Sequence, residues 1–172
     1  MSTIYLGLET ADANRLWDHG PGFVRLAAFA IGESPVVTTT NIAMVVEMIE
    51  KADLVVGHNV LGFDLPALEL YYGLDLANLV RENRVMDVLL AARQNDPPLS
   101  GKVDSRRYDL DPLAKRLGFG FGRKLSGDGG SVLQALSREF DGCDKIPVDH
   151  PDYVRHLAQG VESVRELSKH LV

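Results

Sequence analysis

The sequence contains a single cysteine, Cys143, among 172 residues. One cysteine excludes an internal disulfide framework and a metal site built from thiolates, so we expect a reducing, cytoplasmic compartment. Long hydrophobic runs are absent as well, and the N-terminus is neither basic nor followed by an apolar segment. The sequence therefore predicts no membrane-spanning helix and no secretory signal.

Basic residues are in the minority, because 18 Lys and Arg stand against 24 Asp and Glu and give a formal net charge of −6 at pH 7. This balance argues against binding of duplex DNA through a broad basic surface. It leaves open an enzyme that uses divalent cations as its positive charge against phosphate. With 45% hydrophobic residues the composition is globular, and the length predicts one domain over residues 1–172.

Apolar runs separated by turn residues predict a sheet that begins with a three-stranded antiparallel meander. Its strands are residues 4–9, 23–31 and 36–39. Later strands are predicted at 54–56 and 85–87. Helices are predicted after Asn41 and over 62–70, 88–93, 131–140 and 152–171, and a further helix is expected to begin at a capping Asp109 or Asp111 and to end before Gly118. Connectors or loops are predicted over 74–84, 95–107 and 118–130. The expected fold is α/β: a mixed sheet, the meander plus parallel strands, flanked by helices.

The functional interpretation starts at the junction between the fourth predicted strand and the helix after it. The apolar run Leu54-Val55-Val56 ends at Gly57-His58-Asn59, and Asp64 follows in the first turn of the helical segment. Asn59 and Asp64 are therefore predicted at the carboxyl end of a strand, where α/β sheets place their sites. An ordinary strand–helix corner, in which Asn59 only bonds the backbone, is an alternative that the residue types leave open.

Residues 57–68 read G-H-N-V-L-G-F-D-L-P-A-L, and this segment resembles the second motif of the DnaQ-like 3′–5′ exonucleases, which have a ribonuclease H-like fold. The core of that motif is Asn-x3-Phe-Asp, matched by Asn59, Phe63 and Asp64. Residues 6–10, L-G-L-E-T, stand where the family has its first motif, Asp-x-Glu-Thr. The resemblance spans nearly the whole chain and is strongest to the proofreading domain of phage DNA polymerases of the polymerase I class.

Residues 156–162, H-L-A-Q-G-V-E, stand where the family has its third motif, Tyr-x3-Asp. The resemblance implies hydrolysis at the 3′ end of single-stranded DNA by two Mg²⁺ or Mn²⁺ ions, which four carboxylates from the three motifs hold. Glu9 and Asp64 match two of these metal ligands and are the candidate catalytic residues. At the two other ligand positions, where the family has Asp, this sequence has Gly7 and Gly160.

Two missing ligands predict that hydrolysis is abolished or strongly impaired and that one divalent cation or none binds. Close packing of two backbones is the alternative explanation for Gly7 and Gly160. Neighbouring acids do not restore the set, because Glu162 is expected to face elsewhere on the last helix and Asp152 lies two turns away. Asp87 cannot be placed from the sequence.

Two other function classes stay open. The first is a non-catalytic module of the same fold that binds nucleic acid, a nucleotide or a protein partner such as a polymerase domain. The second is a ribonuclease of the same fold acting on RNA ends.

A single strand needs apolar surfaces for its bases and donors for its phosphates. Leu8, Thr10, Asn59 and Phe63 are the candidate substrate contacts, although Phe63 fits a place in the core equally well. Charged loop residues could also contact phosphate, but solvated loop charge is the default expectation. These loop residues are Arg106, Arg107, Arg123 and Lys124.

Two histidines lie in the motifs. His156 takes the place of the third-motif Tyr and is a candidate for the base that activates water, since histidine titrates near neutral pH. The alternative is a partly exposed helix histidine without a catalytic role. His58 is predicted to turn towards the backbone at the strand end.

Overall fold

The computed structural model describes residues 2–12, 15–17, 19–20, 22–97, 107–118 and 131–171, which contain a five-stranded sheet and seven α-helices. The strands are β1 (Thr3–Thr10), β2 (Val24–Ile31), β3 (Val37–Thr39), β4 (Leu54–Gly57) and β5 (Val85–Asp87). The helices are α1 (Ile42–Lys51), α2 (Leu65–Tyr72), α3 (Leu76–Arg81), α4 (Val88–Asn95), α5 (Leu110–Arg116), α6 (Val132–Glu139) and α7 (Pro151–Leu171). A π-helical turn, Val60–Asp64, leads into α2, and a 3-10 turn, Cys143–Lys145, follows α6.

The strands are ordered β3-β2-β1-β4-β5 across the sheet. Pairing is antiparallel between β1 and β2 and between β2 and β3, whereas β4 is parallel to β1 and β5 is parallel to β4. Helical crossovers make the parallel pairs possible, with α1 before β4 and with α2 and α3 before β5. The predicted mixed α/β sheet is confirmed, and its arrangement is that of a ribonuclease H-like fold.

Alternate side chains of β1 enter two hydrophobic cores, one on each face of the sheet. Ile4 and Leu6 pack in the core that α1 and α2 complete, while Tyr5 packs in the core that α4 to α7 complete. Gly7 follows the same alternation, because a Cβ atom built on it would point at Leu157 of α7. The face that carries Tyr5 and Gly7 therefore lies against the long C-terminal helix.

Two predicted helix boundaries are confirmed by contacts at the start of the helix. Asn41 Oδ1 accepts a hydrogen bond from the backbone N–H of Met44 at 3.2 Å where α1 begins. At the start of α7, the backbone N–H of Asp152 donates to His150 Nδ1 at 3.3 Å. None of the helices in the described ranges is both long and apolar enough to cross a membrane.

One prediction of local structure is wrong, and one helix begins differently from an ordinary α-helix. The connector predicted over 74–84 contains α3, which begins where Asp75 Oδ1 accepts the backbone N–H of Asn78 at 2.9 Å. The helix predicted to start near Gly62 begins as the π-helical turn and becomes α-helical at Leu65. Most of the predicted loop 95–107 and of the glycine-rich segment 118–130 lies outside the described residues, which omit 98–106 and 119–130.

Candidate functional site

Three parallel strands end at the same edge of the sheet. Glu9 lies near the end of β1, His58 directly follows β4, and Asp87 is the last residue of β5. Asp64 reaches this edge from the turn that precedes α2. The carboxyl ends of parallel strands are where α/β sheets place ligand sites, and here they bring acidic side chains together.

An inner cavity of about 180 Å³ lies at this edge, between β1 and α7. The positions that the sequence singled out line it: Gly7, Glu9, Asp64, His156 and Gly160. Its other walls are formed by Leu6, Leu8, His58, Leu110, Leu157, Val161 and Val164. The predicted meeting of positions 7, 9, 64 and 160 is therefore observed, whereas the chemical roles given to them stay predictions.

Asp64 is a buried acid with 8% of its surface exposed. Its Oδ1 accepts a hydrogen bond from the backbone N–H of Leu8 at 3.1 Å, which ties the start of α2 to β1. Burial raises the pKa of Asp64 to about 8, with help from the nearby charges of Glu9 and Asp87 and against the effect of the Leu8 hydrogen bond. At neutral pH the carboxyl group of Asp64 is therefore mostly protonated.

Glu9 and His156 approach each other across the inner cavity. Glu9 is 8% exposed, and its Oε1 lies 3.9 Å from His156 Nε2. That distance is at the outer limit of an ion pair, which requires a protonated imidazole. The His156 side chain is 13% exposed, so it belongs to the cavity wall rather than to the outer face of α7.

Gly7 is packed closely against α7. A Cβ atom on Gly7 would lie 3.2 Å from Leu157 Cδ1 and 3.3 Å from Val161 Cγ2, which is tighter than ordinary van der Waals contact. Leu157 Cδ1 is the end of a flexible side chain and could give by the few tenths of an ångström required, whereas Val161 is β-branched, buried and stiffer. The close-packing explanation therefore applies to Gly7, at a position that also faces the cavity.

The donors around the cavity do not fit a pair of divalent cations, which take several oxygen ligands each. In the part of the chain that the structure describes, no group of three or more His, Cys, Asp or Glu side chains is arranged to hold a metal ion. Glu9 and Asp64 supply two carboxyl groups, and burial holds that of Asp64 in its protonated form at neutral pH. A cation would have to displace the Asp64 proton before it could bind there, and two carboxyl groups are fewer ligands than two cations require.

Asp87 holds the turn that presents Asp64. Asp87 Oδ1 accepts the backbone N–H groups of Asn59 at 3.0 Å and Leu89 at 2.9 Å, and its Oδ2 accepts that of Leu61 at 3.1 Å. The carboxylate thus caps α4 and fixes the segment between β4 and α2 at the same time. Asp87, which the sequence could not place, is a positioning residue of this site.

Asn59 shapes the same turn from within. Its φ of 56° is left-handed, a conformation that Asn adopts more readily than most residues. The carbonyl oxygen of Asn59 accepts the N–H groups of Gly62 and Phe63, both at 3.0 Å. A Cβ atom on Gly62 would lie 2.4 Å from Asn59 Oδ1, so glycine at position 62 makes room for the Asn59 side chain.

A second, outer cavity of about 380 Å³ adjoins the inner one, and the two share Leu8, Glu9, His58 and Asp64. All the predicted substrate contacts line the outer cavity: Leu8, Thr10, Asn59 and Phe63. Sequence reasoning missed its other walls, which are Leu89, Arg93, Asp109 and Leu133. Protein sites for small ligands usually measure about 300–1,000 Å³, so the outer cavity has the size for a small ligand and the inner one does not.

Two of the predicted substrate contacts also have structural contacts. The Phe63 ring packs against the core, with its centroid 6.1 Å from that of Phe23. Thr10 is buried, and its Oγ1 donates to the carbonyl oxygen of Asp12 at 2.9 Å. For Phe63, both predicted roles are compatible with its position, because the ring reaches the core and the cavity.

The other acids near the third motif do not replace the missing ligands. Glu162 pairs with Arg165, and Asp152 pairs with Arg155 at 2.8 Å on an exposed part of α7. The prediction that Glu162 faces away from the site is confirmed.

The remaining charged and polar candidates have separate outcomes. His58 Nε2 lies 2.7 Å from the carbonyl oxygen of Tyr108, which confirms that His58 turns towards the backbone. Arg107 pairs with Asp96 at 2.6 Å, and it lines neither cavity. The candidates Arg106, Arg123 and Lys124 lie outside the described residues.

No protein-family model matches this chain, and no curated protein matches it. A solved structure is similar to it: the family B DNA polymerase from the hyperthermophilic archaeon Pyrobaculum calidifontis, with a TM-score of 0.65 and 18% sequence identity. The similarity covers 99% of this chain and 24% of the polymerase, so the chain spans about a quarter of that protein's length. At this identity the comparison shows the fold, which this chain shares with part of a DNA polymerase.

Proposed function

We propose that this chain is a 3′–5′ exonuclease-type domain of the DnaQ-like family, which receives the 3′ end of single-stranded DNA and has lost all or most of its two-metal hydrolysis. The observation that carries the proposal is that Gly7, Glu9, Asp64 and Gly160 line one cavity. These are the four positions that the motif resemblance assigns to metal ligands, and two of them have no side chain. The fold shared with a DNA polymerase supports action beside a polymerase domain, and the motifs favour the polymerase I class.

The residues of the outer cavity suit a nucleic-acid end. Leu8 and Phe63 offer apolar surface to a base, and Asn59 offers an exposed amide. A protonated Asp64 donates a hydrogen bond instead of binding a cation. These residues bind and orient a strand end, but with the two glycines they do not assemble the charge that hydrolysis of a phosphodiester requires.

A degradation assay tests the proposal. A single-stranded DNA labelled at its 5′ end is incubated with Mg²⁺ or Mn²⁺ and either the unsubstituted chain or the Gly7→Asp/Gly160→Asp variant. Because Leu157 crowds position 7, the restored variant is also made with Leu157→Ala. We expect a restored variant to shorten the strand stepwise from its 3′ end. The unsubstituted chain should degrade the strand at least about 10³-fold more slowly.

Two controls make the outcome decisive. Asp64→Asn in the restored background should abolish the recovered activity, whereas Glu50→Gln, at an exposed position on α1, should leave it unchanged. An unsubstituted chain that degrades the strand as fast as the restored variants would contradict the proposed impairment.

A non-catalytic binding module is the second candidate. One observation favours it: α7 packs closely on Gly7, so a side chain at position 7 would meet Leu157 and Val161. The same variants discriminate the candidates. If the restored variants bind the strand but do not degrade it in either Mg²⁺ or Mn²⁺, the chain is a binding module rather than an impaired nuclease.

A further inference from the structure

Arg93 lies on α4 at the wall of the outer cavity and is exposed. It is the one Arg or Lys among the described residues that line this cavity, whose walls also carry the acids Glu9, Asp64 and Asp109. An anionic ligand that enters the cavity approaches Glu9 and Asp109, so its charge is opposed unless a cation binds it. Arg93 is placed to supply that cation.

The Arg93 guanidinium is supported by a fixed aromatic ring. It lies 5.7 Å from the ring centroid of Tyr108, a distance at which a cation is attracted to an aromatic face. Tyr108 is 1% exposed, its hydroxyl donates to the carbonyl oxygen of Asp96 at 2.5 Å, and its own carbonyl oxygen bonds to His58 at 2.7 Å. A ring held in this way restricts where the guanidinium can go.

The same ring gathers further positive charge. Arg107 and Arg116 lie 5.8 Å and 5.9 Å from the Tyr108 centroid, and both pair with Asp96, at 2.6 Å and 3.2 Å. No carboxylate of the described residues forms an ion pair with Arg93. Three guanidinium groups thus lie around the Tyr108 ring and, among the described residues, the one carboxylate that pairs with any of them is that of Asp96. Of the three arginines, Arg93 is the one that lines the outer cavity.

We propose that Arg93 binds a phosphodiester group of the single strand whose terminal nucleotide enters the outer cavity. The inference rests on the proposed function and adds the residue that positions the strand. Arg suits this contact because its planar guanidinium donates two parallel hydrogen bonds to phosphate oxygens. The bound phosphate would lie over the Tyr108 side of the cavity, with the terminal base directed towards Phe63 and Leu8.

Fluorescence anisotropy of a labelled oligo-dT strand tests the inference, in EDTA and over about 50 to about 200 mM salt. The variants are Arg93→Ala, Arg93→Gln and Arg93→Lys, with Arg81→Ala as the matched control, because Arg81 is an exposed helical arginine away from both cavities. We expect Arg93→Ala and Arg93→Gln to weaken binding about tenfold or more. The slope of log affinity against log salt should fall by about 0.7 in these two variants.

The conservative variants separate binding from packing. Arg93→Lys should keep the salt slope, since the charge remains, while losing part of the affinity. Arg93→Gln removes the charge but keeps a long polar side chain. If Arg93 acted only through packing, the Gln variant would leave the salt slope unchanged, and that result would overturn the inference. Strand binding that none of the Arg93 variants alters would overturn it too, with the proposed function intact. If the unsubstituted chain binds no strand even at low salt, the proposed function fails and the inference fails with it.

Discussion

Replacing Asp64 with Asn removes a buried acid but keeps a side-chain oxygen for the backbone N–H of Leu8, which Asp64 Oδ1 accepts at 3.1 Å. Burial raises the pKa of Asp64 from 3.8 to about 8. Between these two values the folded chain holds a proton that the unfolded chain has released. The free energy of unfolding therefore falls as pH rises through this range, and we expect Asp64→Asn to remove that fall.

The magnitude follows from the release of one proton. Each pH unit inside the range lowers the free energy of unfolding by about 1.4 kcal/mol. From about pH 5 to about pH 7, the unsubstituted chain should lose about 3 kcal/mol relative to Asp64→Asn. That loss is large beside a typical domain stability of about 5–15 kcal/mol, and near about pH 8 the variant should be the more stable chain.

Urea denaturation followed by far-UV circular dichroism measures the effect at constant ionic strength from about pH 5 to about pH 8. The informative quantity is the difference in free energy of unfolding between the two chains, because other groups titrate in both. Glu50→Gln is the control, since it removes the same charge from an exposed site on α1 and should leave the pH dependence as it is. A difference between Asp64→Asn and the unsubstituted chain that stays constant with pH would refute the reasoning, because Asp64 would then be ionised throughout.

The other predictions concern the turn and the two glycines. Asp87→Ala leaves three backbone N–H groups without their acceptor and should lower the free energy of unfolding by about 2–4 kcal/mol, whereas Asp87→Asn, which keeps an oxygen, should lose less in urea. Gly62→Ala places a Cβ atom 2.4 Å from Asn59 Oδ1, but this oxygen ends an exposed side chain that can rotate away, so the free energy of unfolding should fall by less than about 1 kcal/mol; a larger loss in urea that Asn59→Gly reverses would show that the Asn59 side chain cannot move. In EDTA, Gly7→Asp/Gly160→Asp should lower Tm by at least about 2–4 °C, because crowded carboxylates repel one another, and an equal or higher Tm in calorimetry would contradict this.

The sheet could be predicted because its signals are local. β1 alternates between two cores, so Ile4 and Leu6 face one side and Tyr5 the other. The run before His58 is apolar throughout because both faces of β4 are buried, so that Val55 enters one core and Val56 the other. Helix α3 was missed because six residues are too few to show a helical period, although Asp75 was a capping signal.

The candidate site could be predicted only in part. The motif positions Gly7, Glu9, Asp64 and Gly160 meet as expected, because the order of elements along the chain determines which strand ends are neighbours. Contacts across the fold were out of reach: Asp87 lies 28 residues from Asn59, whose N–H it accepts. Likewise, no local pattern shows that α4 turns Arg93 towards the same cavity.

The three hydrogen bonds that Asp87 accepts come from backbone groups, and this has an evolutionary consequence. The corner that precedes α2 is held by main-chain N–H groups that donate to the Asp87 side chain on the adjacent strand, and the residues at positions 7 and 160 take no part in these hydrogen bonds. The residues that would carry out chemistry in the inner cavity are therefore separate from those that shape the wall of the outer cavity. Selection could abandon cleavage in such a domain and still preserve the outer cavity, which we propose receives a strand end.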